Sequence, residues 1–190
     1  MAYKNKETAL KNITKYDFYS KRFDNFRDDR DVVLEAIKKT HWALSLASDR
    51  LKDDEELVLE AIKQKHSETF ESASDRLKDN EEVVLEAIRH NFNALSFASD
   101  RIKDDRNIVL EAVKQKYWAL KFASKRLQDD EELVLIAIKQ NISARHFASE
   151  RLQEFLEKET DKIAALEAII AKPMFEQTLK QATKSKKDRI

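Results

Sequence analysis

Apolar residues return along this chain in one short phrase. Leu34-Glu35-Ala36-Ile37 recurs as Leu59-Glu60-Ala61-Ile62, Leu85-Glu86-Ala87-Ile88, Leu110-Glu111-Ala112-Val113 and Leu135-Ile136-Ala137-Ile138. The step is about 25 residues, inside the range that marks stacked repeats. A second phrase keeps the same beat: Ala47-Ser48, Ala73-Ser74, Ala98-Ser99, Ala123-Ser124 and Ala148-Ser149. Each is followed two residues on by an arginine: Arg50, Arg76, Arg101, Arg126 or Arg151.

The second copy shows how one period folds. Leu57, Val58, Ala61 and Ile62 share one helix face (i, i+1, i+4, i+5). Asp53 is the expected N-cap, with Glu56 at capping-box spacing. Asp28, Asp79, Asp104 and Asp129 match Asp53 in the other copies. The rest of each period predicts a second short helix. Its apolar stripe is Ala43, Leu44, Ala47 and Leu51 in the first copy, and Ala119, Leu120, Ala123 and Leu127 in the fourth. Alanine on both helices permits close approach. The expected fold is all-α: a right-handed or open superhelical solenoid of short antiparallel helix pairs, with no β-sheet. Helices of about ten residues are marginal alone, so stability is expected from stacking.

The ends depart from the period. Residues 1–27 are expected to form degenerate N-terminal cap helices, including Lys6 to Thr14 and Asp24-Asn25-Phe26. Residues 28–152 hold the five bihelical copies. Residues 153–183 are expected as degenerate C-terminal cap helices. There Leu166-Glu167-Ala168-Ile169 restores the phrase and Pro173 ends a helix. Residues 184–190 read as a basic tail.

The pattern Asp-Asp-x-x-x-Val-Leu-x-Ala-Ile/Val-Lys-Gln, then Ala-Leu-x-x-Ala-Ser-x-Arg-Leu, is clearest at Asp104 to Leu127 and Asp129 to Leu152. It resembles the repeats called domain of unknown function 4116, over about Asp28 to Leu152. The resemblance implies a helical repeat and brings no established activity. That family often places Asn-Gly between its helices. Here the matching pairs are Lys65-His66, Asn91-Phe92, Lys116-Tyr117 and Asn141-Ile142, so the turn is expected to form without glycine.

Composition narrows the chemistry. Glycine is absent and Pro173 is the only proline, which counts against tight hairpins, Rossmann-type sites and P-loops. The absence of cysteine excludes disulfides and thiolate catalysis. Lys+Arg and Asp+Glu both number 36, so no net field recruits nucleic acid or an anionic membrane. Cations gather at both ends and leave the copies between them net acidic. No apolar run approaches the roughly 18 residues needed to span a bilayer. Met1-Ala2-Tyr3-Lys4 lacks the apolar core of a secretory signal. A cytoplasmic location is expected, with secretion into a host without a cleaved signal as the alternative.

His41 and His66 match across copies, but no helical His pair at i, i+4 suggests a metal. The arginine column could line up for phosphate. Its nearness to the acidic caps, and the preceding Asp49, Asp75, Asp100 or Glu150, favour ion pairs that set stacking register. Carboxylates confined to first turns and solvent faces offer no desolvated member for acid–base catalysis. No catalytic residue, metal or cofactor is expected.

In an array, constant positions build the stack and variable ones are free to recognise partners. Trp42, Glu68, Asn93, Trp118 and Ser143 form one variable column, beside His41, Ser67 or His66, Phe92, Tyr117 and Ile142. Aromatics are enriched at binding hot spots. The second copy is the odd one. It carries an extra residue near Ser67, and puts Glu68, Thr69, Glu71 and Ser72 around Phe70 where an apolar stripe is expected. Its helix is expected either to start late and loop outward or to form a contact site. The expected function is non-catalytic binding of a protein partner through an extended surface, as an inhibitor or effector. Trp42, Glu68, Phe92, Tyr117 and Trp118 are the expected contacts, and the acidic body favours a basic partner surface. The alternative is association with nucleic acid, or inhibition of a nucleic-acid enzyme, through basic ends that include Lys184, Lys186, Lys187 and Arg189.

Overall fold

The computed structural model describes residues 4–13, 20–64, 67–158 and 161–171. All regular structure among them is helical. The chain divides into two compact units, Met1–Ala112 and Val113–Ile190. The first holds α1 (Lys6–Lys11), α2 (Arg30–Lys39), α3 (Asp49–Lys52), α4 (Glu55–Lys63), α5 (Asp75–Lys78), α6 (Glu81–His90) and α7 (Asp100–Lys103). Next comes α8 (Arg106–Gln115), and the boundary between the units falls inside it. The second unit continues with α9 (Lys125–Gln128), α10 (Glu131–Gln140), α11 (Glu150–Lys158) and a helix over residues 162–171, α12.

Each period is built of three pieces rather than two helices. An α-helix of nine or ten residues comes first. A six-residue 3-10 helix follows: His41–Leu46, Ser67–Ser72, Phe92–Phe97, Tyr117–Phe122 or Ile142–Phe147. A short α-helix closes the period, a single turn of four residues in α3, α5, α7 and α9. The expected second helix breaks at its Ala-Ser phrase. Ala98 is extended at φ −66°, ψ 160°, and the Ser99 hydroxyl then accepts from Ile102 N to cap a fresh helix. Ser48, Ser74 and Ser124 do the same for Leu51, Leu77 and Leu127.

The helix caps shift by one residue from the expected position. Asp29, Asp54, Asn80 and Asp130 cap the long helices, and Asp105 accepts from Asn107 N and Ile108 N. Glu56 forms no capping box; its exposed carboxylate lies 3.2 Å from Arg30. The first aspartate of each pair is released for another task, described below.

The turn without glycine uses one extended residue. Thr40, Asn91 and Asn141 end their α-helices at φ −155°, −159° and −159°, and each also opens the next 3-10 helix. Lys116 opens Tyr117–Phe122 at φ −154°. Any side chain adopts that conformation, so glycine has no role to fill there.

In the first unit α2, α4 and α6 pack side by side, and so do the 3-10 helices His41–Leu46, Ser67–Ser72 and Phe92–Phe97. The core lies between these two layers. The long helices supply Val32, Val33, Ala36 and Ile37, then Leu57, Val58, Ala61 and Ile62, then Val83, Val84, Ala87 and Ile88. The 3-10 helices supply Ala43 and Leu44, Thr69 and Phe70, Ala94 and Leu95. Each fully buried large aliphatic side chain contributes about 1.5–3 kcal/mol, which these short helices could not gain singly. Leu34, Leu59 and Leu85 of the recurring phrase are only half-buried.

The unit begins before the first phrase. Asn5 caps α1, and Lys6 reaches Asp29 at 2.9 Å and Asp31 at 2.5 Å. Arg30 repeats that reach one period later, to Asp54 at 3.1 Å and Glu56 at 3.2 Å.

In the second unit α10 packs on both its 3-10 helices, Tyr117–Phe122 and Ile142–Phe147. Gln128, almost fully buried, donates to the carbonyls of Leu120 and Lys121, closing the end of a 3-10 helix. The period stops because Glu154-Phe155 replaces the Asp-Asp pair. α11 then runs on to Lys158 and buries Leu156. α12 buries Leu166 and pairs Glu167 with Lys139 at 2.6 Å, but Ala168 is exposed, so the restored phrase does not restore the packing.

Candidate functional site

Three constant residues form a staple between consecutive short segments. The Asp53 carboxylate accepts from the Ser74 hydroxyl and from Arg76 Nε at 2.9 Å. Arg76 Nη2 donates to the Asp53 carbonyl at 2.8 Å, and Ser74 N donates to the Lys52 carbonyl at 3.0 Å. Asp28–Ser48–Arg50 and Asp79–Ser99–Arg101 repeat the arrangement in the first unit, and Asp129–Ser149–Arg151 in the second. Glu81 and Glu131 add a further carboxylate to Arg101 and Arg151, at 2.8 and 2.6 Å. These arginines are engaged as pins between consecutive periods.

The staple also sets protonation. The serine hydroxyl, then the arginine, holds Asp28, Asp53 and Asp79 below the usual carboxylate range; for Asp129 the arginine comes first. No carboxylate among them is raised toward a general acid. The described residues contain no group of three or more His, Asp or Glu arranged to hold a metal. His90 sits 3.4 Å from Glu86 and His146 is exposed. Among the described residues no helix is long and apolar enough to cross a membrane.

The variable positions lie on the 3-10 helices. Trp42 and Trp118 occupy the second place of theirs and are each 47% exposed. Phe92 and Tyr117, in the first place, are half-buried. In the second unit Tyr117 meets Trp118 edge-on at 6.2 Å and stacks on Phe147 at 6.4 Å, while Lys121 lies 4.8 Å over the Phe122 ring. Glu68 holds the tryptophan position in Ser67–Ser72; its side chain lies outside the described set. Lys184, Lys186, Lys187 and Arg189 lie outside the described residues. Of the N-terminal cations, Lys6, Lys11 and Arg27 are held in ion pairs with Asp29 and Asp31, Glu7, and Asp24.

The second copy retains its 3-10 helix after the extra residue; residues 65–66, where the outward loop is expected, lie outside the described residues. Its 3-10 helix occupies Ser67–Ser72, with Phe70 buried where the first, third and fourth copies put leucine and the fifth puts Arg145. Thr69 takes the alanine position at 0% exposure, and its hydroxyl has no hydrogen-bond partner among the described residues. Ser72 stands where Leu46, Phe97, Phe122 and Phe147 stand elsewhere. A groove of about 470 Å³ opens beside it.

Fold and surface together define a helical-repeat protein whose constant polar residues serve the stack. The chain belongs to the family described as domain of unknown function (DUF4116), whose model matches residues 5–52, 29–78, 54–103 and 105–153. The first match starts at residue 5, the cap of α1, and takes in one copy of the recurring Leu-Glu-Ala phrase, whereas each of the other three takes in two. The chain matches no curated protein and no solved structure.

Proposed function

We propose that this is a non-catalytic, cytoplasmic repeat protein that binds a protein partner through exposed residues of its 3-10 helices. Binding there would inhibit or recruit the partner. The observation that carries the reading is the division of labour within each period. The Asp, Ser and Arg of the constant phrases are occupied in staples, whereas Trp42 and Trp118 stand nearly half exposed on variable positions. Large, stiff aromatic side chains of that kind are typical interface anchors. The acidic copies suit a basic partner surface, so binding should weaken as salt rises.

The test compares affinity capture by wild-type protein with capture by a Trp42→Ala/Trp118→Ala double variant. The captured partner should be lost by the variant while helicity and melting temperature stay close to wild type. Full capture by the variant, or a variant that melts far lower, would show that the tryptophans serve the fold instead.

A further inference from the structure

The groove of the second copy exists where a ring is missing. Four copies end the 3-10 helix in Leu46, Phe97, Phe122 or Phe147, and this one ends it in Ser72. The space left is bordered by Asp49, Lys52, Glu71, Asp75 and Lys78, with buried Ala73 as an apolar element of its lining. Its charges do not cancel internally. Asp49 lies 3.7 Å from Lys52. Glu71 and Asp75 are exposed and make no ion pair among the described residues, against the single further ammonium of Lys78. Ser67–Ser72 is also the only 3-10 helix of the five copies whose sequence contains carboxylates.

We infer that this groove takes an arginine side chain presented by the protein partner, with its stem on Ala73 in the place of the missing ring and its guanidinium shared by Glu71 and Asp75. This rests on the protein-binding reading above and names the chemistry of one contact. Arginine suits the site on both counts: its stem packs against apolar surface, and its planar fork is weakly hydrated and matches carboxylates. A phenylalanine would fill the space but leave both carboxylates unanswered. An ammonium lacks the planar fork that meets carboxylates in pairs.

The probe is N-acetyl-arginine methylamide, titrated into the full ¹⁵N-labelled chain, with the uncharged citrulline isostere beside it. Amide shifts should cluster at residues 45–52 and 70–78. The citrulline compound should bind about tenfold more weakly, since it loses the charge-assisted bonds. Ser72→Phe supplies the ring that the third, fourth and fifth copies carry and should abolish the response in a folded protein. Glu71→Gln should weaken it and leave the ring space intact. Equal binding of citrulline, shifts scattered over the chain, or undiminished binding by Ser72→Phe would overturn the assignment. An absent arginine response with tryptophan-dependent capture intact sinks the groove alone. A localised arginine response with capture indifferent to both tryptophans sinks the wider reading.

Discussion

The second and third copies share one architecture and differ in what fills it. Phe92–Phe97 places Ala94 and Leu95 in the core and covers its end with Phe97. Ser67–Ser72 replaces those with Thr69, Phe70 and Ser72, follows an extra residue, and still forms a 3-10 helix of the same length. The staples explain the tolerance. Ser74 lies 21 residues after Asp53 and Ser99 lies 20 after Asp79, yet Arg76 and Arg101 both meet their aspartates at 2.9 Å. Register is therefore held at the ends of the period, and the segment between is free to vary in side chains. In the sequence the extra residue falls before Ser67. α4 ends at Lys63 with Gln64 at φ −70°, ψ 9°, not in the extended residue that ends α6.

The largest effect expected on this comparison comes from the one apolar anchor the second copy keeps. Phe70→Ala should lower unfolding free energy by about 3–5 kcal/mol, close to the 2–5 kcal/mol expected for Leu95→Ala. Urea unfolding measures both; a loss under about 1 kcal/mol for Phe70→Ala would place that segment outside the core.

The paired alanines give the next contrast. Ala98→Leu should overpack and cost about 1–3 kcal/mol, whereas Ala73→Leu should cost less than half as much, because Ala73 borders open space. Equal costs would mean that the groove closes in solution.

Thr69 offers a gain. Its orphaned hydroxyl carries a desolvation penalty, so Thr69→Ala should stabilise by about 1 kcal/mol, and the reverse change Ala94→Thr should destabilise the third copy. A destabilised Thr69→Ala would reveal a partner for that hydroxyl.

The staples predict no difference between copies. Asp53 and Asp79 are both depressed, so their contribution is complete above the unfolded carboxylate pKa of about 4 and fades as pH falls through the lower folded values. Asp53→Asn and Asp79→Asn should each flatten the acid limb of a stability–pH curve to the same degree. A smaller change for Asp53→Asn would show that the extra residue weakens its staple.

Much of this was legible in the chain. The period, the all-α class and the buried faces of the long helices follow from spacing alone. The second half of each period was read as one helix because apolar positions over six residues do not separate 3-10 from α geometry. The break was encoded in serine, which favours a cap over a helix interior. The cap itself was misplaced by one residue because Asp53 and Asp54 are locally equivalent. Only the later Ser74 and Arg76, distant in sequence, decide which carboxylate is taken elsewhere. The second copy's disturbance was visible as misplaced polar residues, but its outcome was not. A late-starting helix and a retained one share a sequence, and burial of Phe70 selects the latter.

The extended junction residue has a practical consequence for splicing. Asp53 and Asp79 lie five places after the stapling serines Ser48 and Ser74, with only a four-residue helix between, and that short helix offers no slack. The passage from long helix to 3-10 helix already accommodates one added residue at the second copy. Tags, reporters or grafted epitopes introduced at Asn91 or Asn141 should thus leave the neighbouring periods in step, whereas the same insert directly after Ser99 would part Ser99 from Arg101, which hold the same aspartate.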